Sequence, residues 1–150
     1  MPNTLAIANE IVTLLAGLQY QSAPLYKQVK LGAIQDPTDI TPCAGVFFDT
    51  GQTKRFDSGW KVNDHPGFKI ESIMDLNSST TAEQFLANMR DIVIPMFIAQ
   101  VSLQQTPGVY VTFLGDTDRA FYSRLPSGIV YRFHWMWVKA VQQYNVQLAL

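Results

Sequence analysis

Residues 128–143, GIVYRFHWMWVKAVQQ, contain the pattern on which the prediction of the fold rests. Every second position carries a large apolar or aromatic side chain: Ile129, Tyr131, Phe133, Trp135 and Trp137. The positions between them mix apolar residues with Arg132 and His134. Alternation with a period of two, rich in β-branched and aromatic residues, is typical of a strand with one buried face. Because no proline interrupts it, we predict a long central strand whose odd-numbered side chains point toward the helices.

Length and composition indicate one domain that associates with other subunits. The chain has 150 residues, and we predict a single domain over residues 1–150. Hydrophobic residues make up 47 % and charged residues 15 %, whereas about 25 % charged residues is usual. Obligate interfaces resemble the core of a domain cut in half, so a chain this poor in charge favours an oligomer.

Charge and cysteine content exclude several kinds of partner and compartment. The formal net charge of −1 predicts no electrostatic attraction to nucleic acid or to an anionic membrane. A single cysteine, Cys43, excludes an internal disulfide. No apolar run approaches the ~18 residues of a membrane span, and the N-terminus lacks the features of a signal peptide. We expect the protein to stay where it is made, unless it leaves as part of a larger assembly.

Two helices and several strands follow from the remaining patterns. The first helix begins at Asn3 or Thr4 and runs to about Leu18. The second begins near Thr80, and Pro95 inside its apolar stripe predicts a kink or a break. Further strands are predicted over residues 25–31, 44–48, 68–76, 109–114 and 120–125. Residues 49–67 contain three glycines and one proline, and we predict an irregular segment there. This order predicts an α+β fold, a mainly antiparallel sheet with two principal helices packed on one face.

Residues 46–51, VFFDTG, resemble the active-site loop of aspartic proteases, in which two carboxylates share a proton across a dimer axis. A retropepsin-like homodimer needs one such loop per chain, with Asp49 as the catalytic acid. The same residues fit a strand that ends in a turn, where Asp and Gly are common. The family also lacks the long helix that is predicted here between the two halves of the chain. A protease that uses Asp49 is therefore kept as an alternative.

Other chemistry-bearing residues do not form a recognisable site. His65 and His134 have no carboxylate or cysteine at the spacing of metal ligands. We interpret His134 as a cross-strand partner of a polar residue, Cys43 as a small buried side chain, and the tryptophans as core or interface residues. No nucleophile elbow, phosphate loop or dinucleotide fingerprint occurs. The sequence therefore predicts no catalytic residue, no cofactor and no metal site.

A family resemblance covers most of the chain and lies in the order and composition of its segments. These are the helix TLAIANEIVTLLAGL, the strand PCAGVFF, the strand FKIESIMDL, a helix with an internal Ile94-Pro95-Met96, and the final strand IVYRFHWMWVKAV. Taken together they resemble the tail terminator (tail completion) proteins of long-tailed bacteriophages. Members of that family are small α+β proteins that form hexameric rings on the head-proximal end of the tail tube.

The resemblance implies a structural ring protein without enzymatic activity. The ring would cap the tail tube, stop its polymerisation and join it to the head and neck. The implied partners are further copies of the chain, the tail tube protein and a neck or head completion protein, with no membrane and no sequence-specific nucleic acid. The implied location is the neck region of the virion tail, after assembly in the host cytoplasm. The alternatives are another phage neck or head–tail connector protein and an adaptor of unrelated origin.

Two groups of residues are predicted to contact neighbouring subunits. The first lies in the segment 49–67, our candidate for an arm that faces the tube or a neighbouring copy. The alternative is that this segment is a flexible surface loop without a role in assembly. The second lies on the mixed face of the long strand. The predicted interface residues are Lys54, Arg55, Phe56, Trp60, Arg132 and His134.

Overall fold

The computed structural model describes residues 4–49, 54–56, 61–75, 79–99, 101–113 and 118–145. Within these residues the chain forms two α-helices and eleven β-strands. In chain order they are α1 Thr4–Ala16, β1 Gln19–Tyr20, β2 Ala23–Pro24, β3 Gln28–Leu31, β4 Cys43–Asp49, β5 Lys54–Phe56, β6 Lys61–Asp64, β7 Gly67–Asp75, α2 Ser79–Ile98, β8 Val101–Ser102, β9 Tyr110–Phe113, β10 Arg119–Arg124 and β11 Val130–Asn145.

The sheet is organised around β11, which is 16 residues long. On one side it pairs first with β7 and then with β6, and on the other side with β10 and then with β9. All four pairings are antiparallel, while β3 pairs with β4 in parallel at the edge of the sheet. The predicted long central strand is therefore confirmed, and the fold is α+β with a mainly antiparallel sheet.

The described residues of the segment 49–67 include two strands, β5 and β6, so the prediction of an irregular segment is wrong for these residues. β4 and β7 pair as the base of a long hairpin, and β5 and β6 pair as its outer part. The N–H of Ala140 donates to the carbonyl oxygen of Pro66 at 2.9 Å, so the ladder between β11 and this hairpin continues past His65 and Pro66. We call β5, β6 and the end of β11 the arm. The glycines and polar residues of this segment hide its strands, because the pairing that forms them comes from the distant β11.

Both helices pack on one face of the sheet, as predicted. Their apolar stripes meet the side chains of four strands in a single large core. The fully buried members with the largest side chains are Ile7, Ile11 and Leu15 of α1, Met89, Val93 and Phe97 of α2, and Val46, Phe68, Ile70 and Met136 of the sheet. A stripe with helical spacing that buries against a sheet is the usual source of stability for helices of this length.

The prediction of which side of β11 faces the helices is wrong. Met136, Val138 and Ala140 lie in the large core with the helices. The odd-numbered row points to the other side of the sheet, where Trp135 and Trp137 are half-buried. Alternation shows which side chains share a face, but it does not show which face the helices cover. The polar members of the helix-facing row are accommodated by ion pairs, which the sequence pattern does not reveal.

A second, smaller core lies on the side of the sheet away from the helices. It contains Cys43, Ile73, Tyr131 and Phe133, with four partly buried side chains around them: Ile34, Ile40, Phe121 and Leu125. The connection between β3 and β4 therefore covers one end of this face. Its approach is close at Gly45, where a Cβ atom would lie 2.5 Å from the carbonyl oxygen of Gly32. Only a residue without a side chain fits there.

Helix α2 runs through Pro95 and ends at Ile98, so the predicted break at the proline does not occur. The carbonyl oxygen of Pro95 accepts a hydrogen bond from the N–H of Ala99 at 3.2 Å. Pro95 is exposed and lies in the last turns of the helix. The proline removes one backbone donor there, and the helix does not end because its apolar stripe continues to Phe97 in the core.

Candidate assembly surfaces

The side of the sheet away from the helices presents an aromatic surface. We call it the open face and define it by Phe47, Lys69, Glu71, Trp135 and Trp137. The ammonium nitrogen of Lys69 lies 3.2 Å from the centroid of the Trp135 ring, 5.4 Å from that of Phe47 and 5.5 Å from that of Trp137. The indole N–H of Trp135 donates to a carboxylate oxygen of Glu71. Cation–π contacts and this hydrogen bond favour one arrangement of the half-buried rings.

The open face continues onto β10 through stacked rings. Phe121 stacks on Phe133 with centroids 5.3 Å apart and meets the edge of Trp135 at 4.5 Å. The guanidinium group of Arg119 lies 5.5 Å from the Trp135 ring. Partial burial lowers the pKa of Lys69, although the Glu71 and Asp49 carboxylates oppose that shift. Tryptophan and arginine are the residues most enriched at protein–protein hot spots, so this composition suits contact with another protein.

A cluster of ion pairs connects α2 to the sheet on the opposite side. The Nε of Arg132 lies 2.8 Å from Oε1 of Glu83, and the hydroxyl of Tyr122 donates to the same oxygen at 2.7 Å. These hydrogen bonds, from Tyr122 and then Arg132, lower the pKa of the Glu83 carboxyl. The side chain of Arg132 is largely buried, with 14 % of its surface exposed. Its charge therefore serves to join β11 to α2.

The second half of this cluster surrounds Asp118. Its Oδ2 lies 2.8 Å from Nε of Arg90 and 3.2 Å from Nε2 of His134. Burial raises the pKa of Asp118, but hydrogen bonds from Arg90 and His134 outweigh burial and lower it. His134 is 3 % exposed, and burial lowers its pKa despite the opposing effect of Asp118. Its Nδ1 atom is buried and has no hydrogen-bond partner among the described residues.

The predicted interface residues lie in two separate regions. Lys54, Arg55 and Phe56 form β5 in the arm, and Trp60 lies outside the described residues. Arg132 lies ten residues before the first arm residue of β11, Gln142, which corresponds to about 33 Å along a strand. The structure thus does not bring the two predicted groups together.

The sequence prediction missed the open face. It assigned Trp135 and Trp137 to the core beneath the helices, whereas both are half-buried on the other side. One signal was present, because tryptophan is highly buried on average but rarely fully buried. Lys69 and Glu71 gave no signal, since their contacts with the tryptophans depend on the pairing of β7 with β11. His134 contacts a polar residue, Asp118, but Asp118 precedes β10, and the residue paired with His134 on that strand is Ala120.

The residues considered for chemistry are held in structural positions. Asp49 is the last residue of the β4–β7 ladder, opposite Gly67, and Thr50 and Gly51 lie outside the described residues. Cys43 is fully buried, as predicted, and burial, assisted by Glu71, raises the pKa of its thiol to about 12. Across the described ranges, no three His, Cys, Asp or Glu side chains are placed to hold a metal ion. Neither described helix is long and apolar enough to span a membrane.

The arrangement of β11, its flanking strands and the two helices also occurs in a known particle. The fold is shared with a chain from the virion of a native gene transfer agent particle. The two structures align with a TM-score of 0.55 and 19 % sequence identity, and the alignment covers 93 % of this chain and 98 % of the other. At this identity the likeness shows a common fold. No protein-family model and no curated protein matches the sequence.

Proposed function

We propose that this chain is a non-enzymatic structural protein of a phage-like virion, and that within the virion it acts as a tail terminator. The observation that carries the proposal is the fold match with a chain from a gene transfer agent virion, because it spans nearly the whole of both chains. The order of helices and strands that resembles tail terminators supports the finer assignment. The proposed partners are further copies of the chain, a tail tube protein and a neck or head completion protein.

The proposed mechanism is stoichiometric capping. Six copies associate head to tail into a closed ring, which sits on the head-proximal end of the tail tube in the neck region and prevents further addition of tube subunits. A head-to-tail interface that closes forms a ring, whereas one that does not close forms a filament. The open face supports this mechanism, because its half-buried aromatic side chains gain burial when a neighbour covers them. The basic β5 strand of the arm provides a second contact, toward the tube or a neighbouring copy.

The alternative assignments place the same fold in a different role. A neck or head–tail connector protein would also form a ring, but it would bind to the head vertex and leave the length of free tubes unchanged. An aspartic protease would be a dimer that depends on the Asp49 carboxylate. These expectations separate the three assignments by stoichiometry and by the partner that is bound.

Native mass spectrometry and electron microscopy test the proposal directly. The chain has a mass of 16.9 kDa, and we expect six copies in a ring, alone or after addition of tail tube protein. Addition of the ring to growing tubes should stop their elongation. Rings that leave tube growth unaffected would contradict the terminator assignment. If the chain is a dimer with peptidase activity at acid pH, and Asp49→Ala abolishes that activity, the aspartic protease assignment is correct and the terminator assignment is wrong.

A further inference from the structure

β10 has a free backbone edge. The N–H of Leu125 donates to the carbonyl oxygen of Ile129 at 3.0 Å, at the closed end of the β10–β11 hairpin. Bonded pairs alternate along an antiparallel ladder, so the odd-numbered residues of β10 direct their backbone groups toward β11. The even-numbered residues, Ala120, Tyr122 and Arg124, direct their backbone groups away from β11, in the plane of the sheet. Within the described residues no other strand pairs with this outer edge.

Charge is the one feature of β10 that usually hinders pairing with another strand, and it is confined to the two end residues, Arg119 and Arg124. β10 is six residues long, RAFYSR, without proline, and its register against β11 is unbroken by a bulge. The residues that direct backbone groups outward are exposed, as is Arg119, while Phe121 and Ser123 are partly buried. Native proteins normally shorten, twist, cover or charge such an edge. The outward backbone groups of a six-residue strand can form hydrogen bonds with an added strand.

A cleft of about 280 Å³ lies beside this edge, between α2 and the helix-facing side of β10 and β11. Ala120 and His134 are part of its wall, and Leu86 and Ala87 of α2 form the opposite side. A strand added to β10 directs alternate side chains to the same face as Ala120. The cleft therefore gives those side chains space next to the strand.

The charge of β10 selects the added strand. Its only charged residues are Arg119 and Arg124, and within the described part of the chain neither forms an ion pair. The carboxylates at the cleft, Glu83 and Asp118, are already paired with cations of α2 and β11. Arg119 contacts the Trp135 ring and Arg124 donates to the carbonyl oxygen of Gly128 at 3.4 Å, so neither charge is neutralised by these contacts. Acidic side chains opposite the two arginines form favourable cross-strand pairs, and basic ones are unfavourable.

A second copy of the chain does not fit this edge by charge. None of the other described edge strands of the sheet is acidic: β3 carries Lys30, β5 carries Lys54 and Arg55, and β8, Val101–Ser102, is uncharged. Two β10 strands paired antiparallel would bring arginines against each other. The acidic strand residues, such as Glu71 on β7, lie on strands with partners on both sides.

We propose that β10 receives an extended acidic strand from a different protein of the particle, which adds to the sheet by backbone hydrogen bonds to Ala120, Tyr122 and Arg124. This inference rests on the proposed function in one respect, the presence of the chain in a virion. The added strand runs along β10, and its acidic side chains lie opposite Arg119 and Arg124. Backbone bonds supply the attachment, and the two arginines supply the selectivity.

Amide hydrogen exchange measured by NMR tests the inference in the full-length chain. The probe is a blocked peptide of threonines with two glutamates five positions apart, at saturating concentration, so that one glutamate can lie opposite Arg119 and the other opposite Arg124 on the two faces of the sheet. The control is the same peptide with lysine for glutamate. With the acidic peptide, exchange at Ala120, Tyr122 and Arg124 should slow by about tenfold or more. Exchange at Phe121 and Ser123 should change little, because their amides already bond to β11. Equal exchange with and without the peptide, or equal effects of both peptides, overturns the inference.

Two variants separate the backbone contribution from the charge contribution. Ala120→Pro removes one outward donor and leaves the bonds to β11 intact, and Arg124→Glu reverses one selecting charge. Each should weaken binding of the acidic peptide by about tenfold or more. Lys30→Glu makes the same charge change on the opposite edge and should leave binding unchanged. If Ala120→Pro fails to fold, the test is the affinity of Arg124→Glu and of Lys30→Glu for the acidic peptide. An equal loss of affinity in these two variants overturns the inference.

The outcomes also distinguish this inference from the proposed function. If rings cap tubes but do not bind the acidic peptide at β10, the proposed acidic strand is wrong and the terminator assignment is unaffected. If the chain binds the peptide but never joins a tail particle, the binding site at β10 is supported and the terminator assignment is wrong. Slow exchange at the outward amides on concentration of the chain alone identifies a second copy as the occupant, and it overturns the proposed partner.

Discussion

His134 is buried on the side of β11 that faces α2. Its Nε2 atom lies near Asp118, and its Nδ1 atom has no partner in the part of the chain that the structure describes. Burial lowers its pKa, whereas in the unfolded chain the pKa is about 6.5. The unfolded chain therefore binds a proton at a pH where the native His134 is still neutral. Stability is retained above about pH 6.5 and falls as pH decreases from there toward the lower pKa of the folded state. We expect urea unfolding to show this loss between neutral and mildly acid pH.

The control for this prediction is His134→Gln, which keeps a polar side chain but does not titrate. Its stability should change much less over the same pH range. Glu83 and Asp118 also have lowered pKa values in the folded state. Their stabilising contribution is present above about pH 4 and is lost only as pH falls below it. An identical pH dependence in the variant and the wild type would show that His134 does not cause the loss at mildly acid pH.

Met136 and Trp137 are neighbours on β11 that point to opposite sides of the sheet. Met136 is fully buried beneath the helices, and Met136→Ala should cost about 2–5 kcal/mol. Trp137 is half-buried on the open face, and Trp137→Ala should cost less, about 1–2 kcal/mol from the area that it loses. Denaturant unfolding of the isolated chain measures both. A larger cost for the tryptophan would place the helices on the odd-numbered side, as the sequence pattern predicts.

At the level of elements, local sequence signals predicted the regular parts of the fold. α1, β4, β7 and β11 follow apolar patterns that are complete within the element, and all four occur close to the predicted positions. β5 and β6 lack such a pattern, because their backbone bonds are made with each other and with the end of β11. Strand formation depends on such partners more than helix formation does.

Pro95 tests whether α2 is one continuous element. The proline is exposed, and the helix continues to Ile98. Pro95→Ala restores a backbone donor for the carbonyl of Asp91, worth about 1 kcal/mol, and it loses about 0.4–1 kcal/mol through the entropy of the unfolded chain. The net change in the free energy of unfolding should therefore lie within about 1 kcal/mol of zero. A loss of several kcal/mol in a thermal or denaturant melt would show that the proline ring sustains a bend that the packing of α2 requires.

The arm tests the second proposed contact of the ring. Arg55 lies on β5, and reversal of its charge in Arg55→Glu should weaken capping of tail tubes without a change in the melting temperature. A loss of function at unchanged stability indicates a contact with another protein, because it shows that the fold of the variant is intact. Lys30→Glu on β3 is the matched control and should cap normally. Equal tube lengths with both variants would leave the arm without a role in capping.

At the scale of the whole molecule, the sequence indicated one of the three candidate contact surfaces, the arm, and it did not indicate the open face or the free edge of β10. Low charge content predicted that part of the surface is covered by other subunits, and the segment 49–67 directed attention to the arm. The open face and the free edge of β10 were not predictable, because both depend on which strand lies beside β11 and on which side the helices pack. Such choices are made by packing over the whole sheet.

The open face provides the test of assembly for the molecule as a whole. Trp137→Glu places a carboxylate on this face, where the side chain is still partly in water, so the isolated chain should remain folded. In a ring the same carboxylate would be covered by a neighbour without a partner, which costs several kcal/mol. We therefore expect a normal melt of the isolated chain at slightly reduced stability, together with loss of the ring in native mass spectrometry. Leu5→Glu is the matched control, since Leu5 is 56 % exposed on α1, on the opposite layer. Rings that persist in Trp137→Glu and disappear in Leu5→Glu would show that the subunits meet through their helices, with the open face directed away from the neighbouring copies.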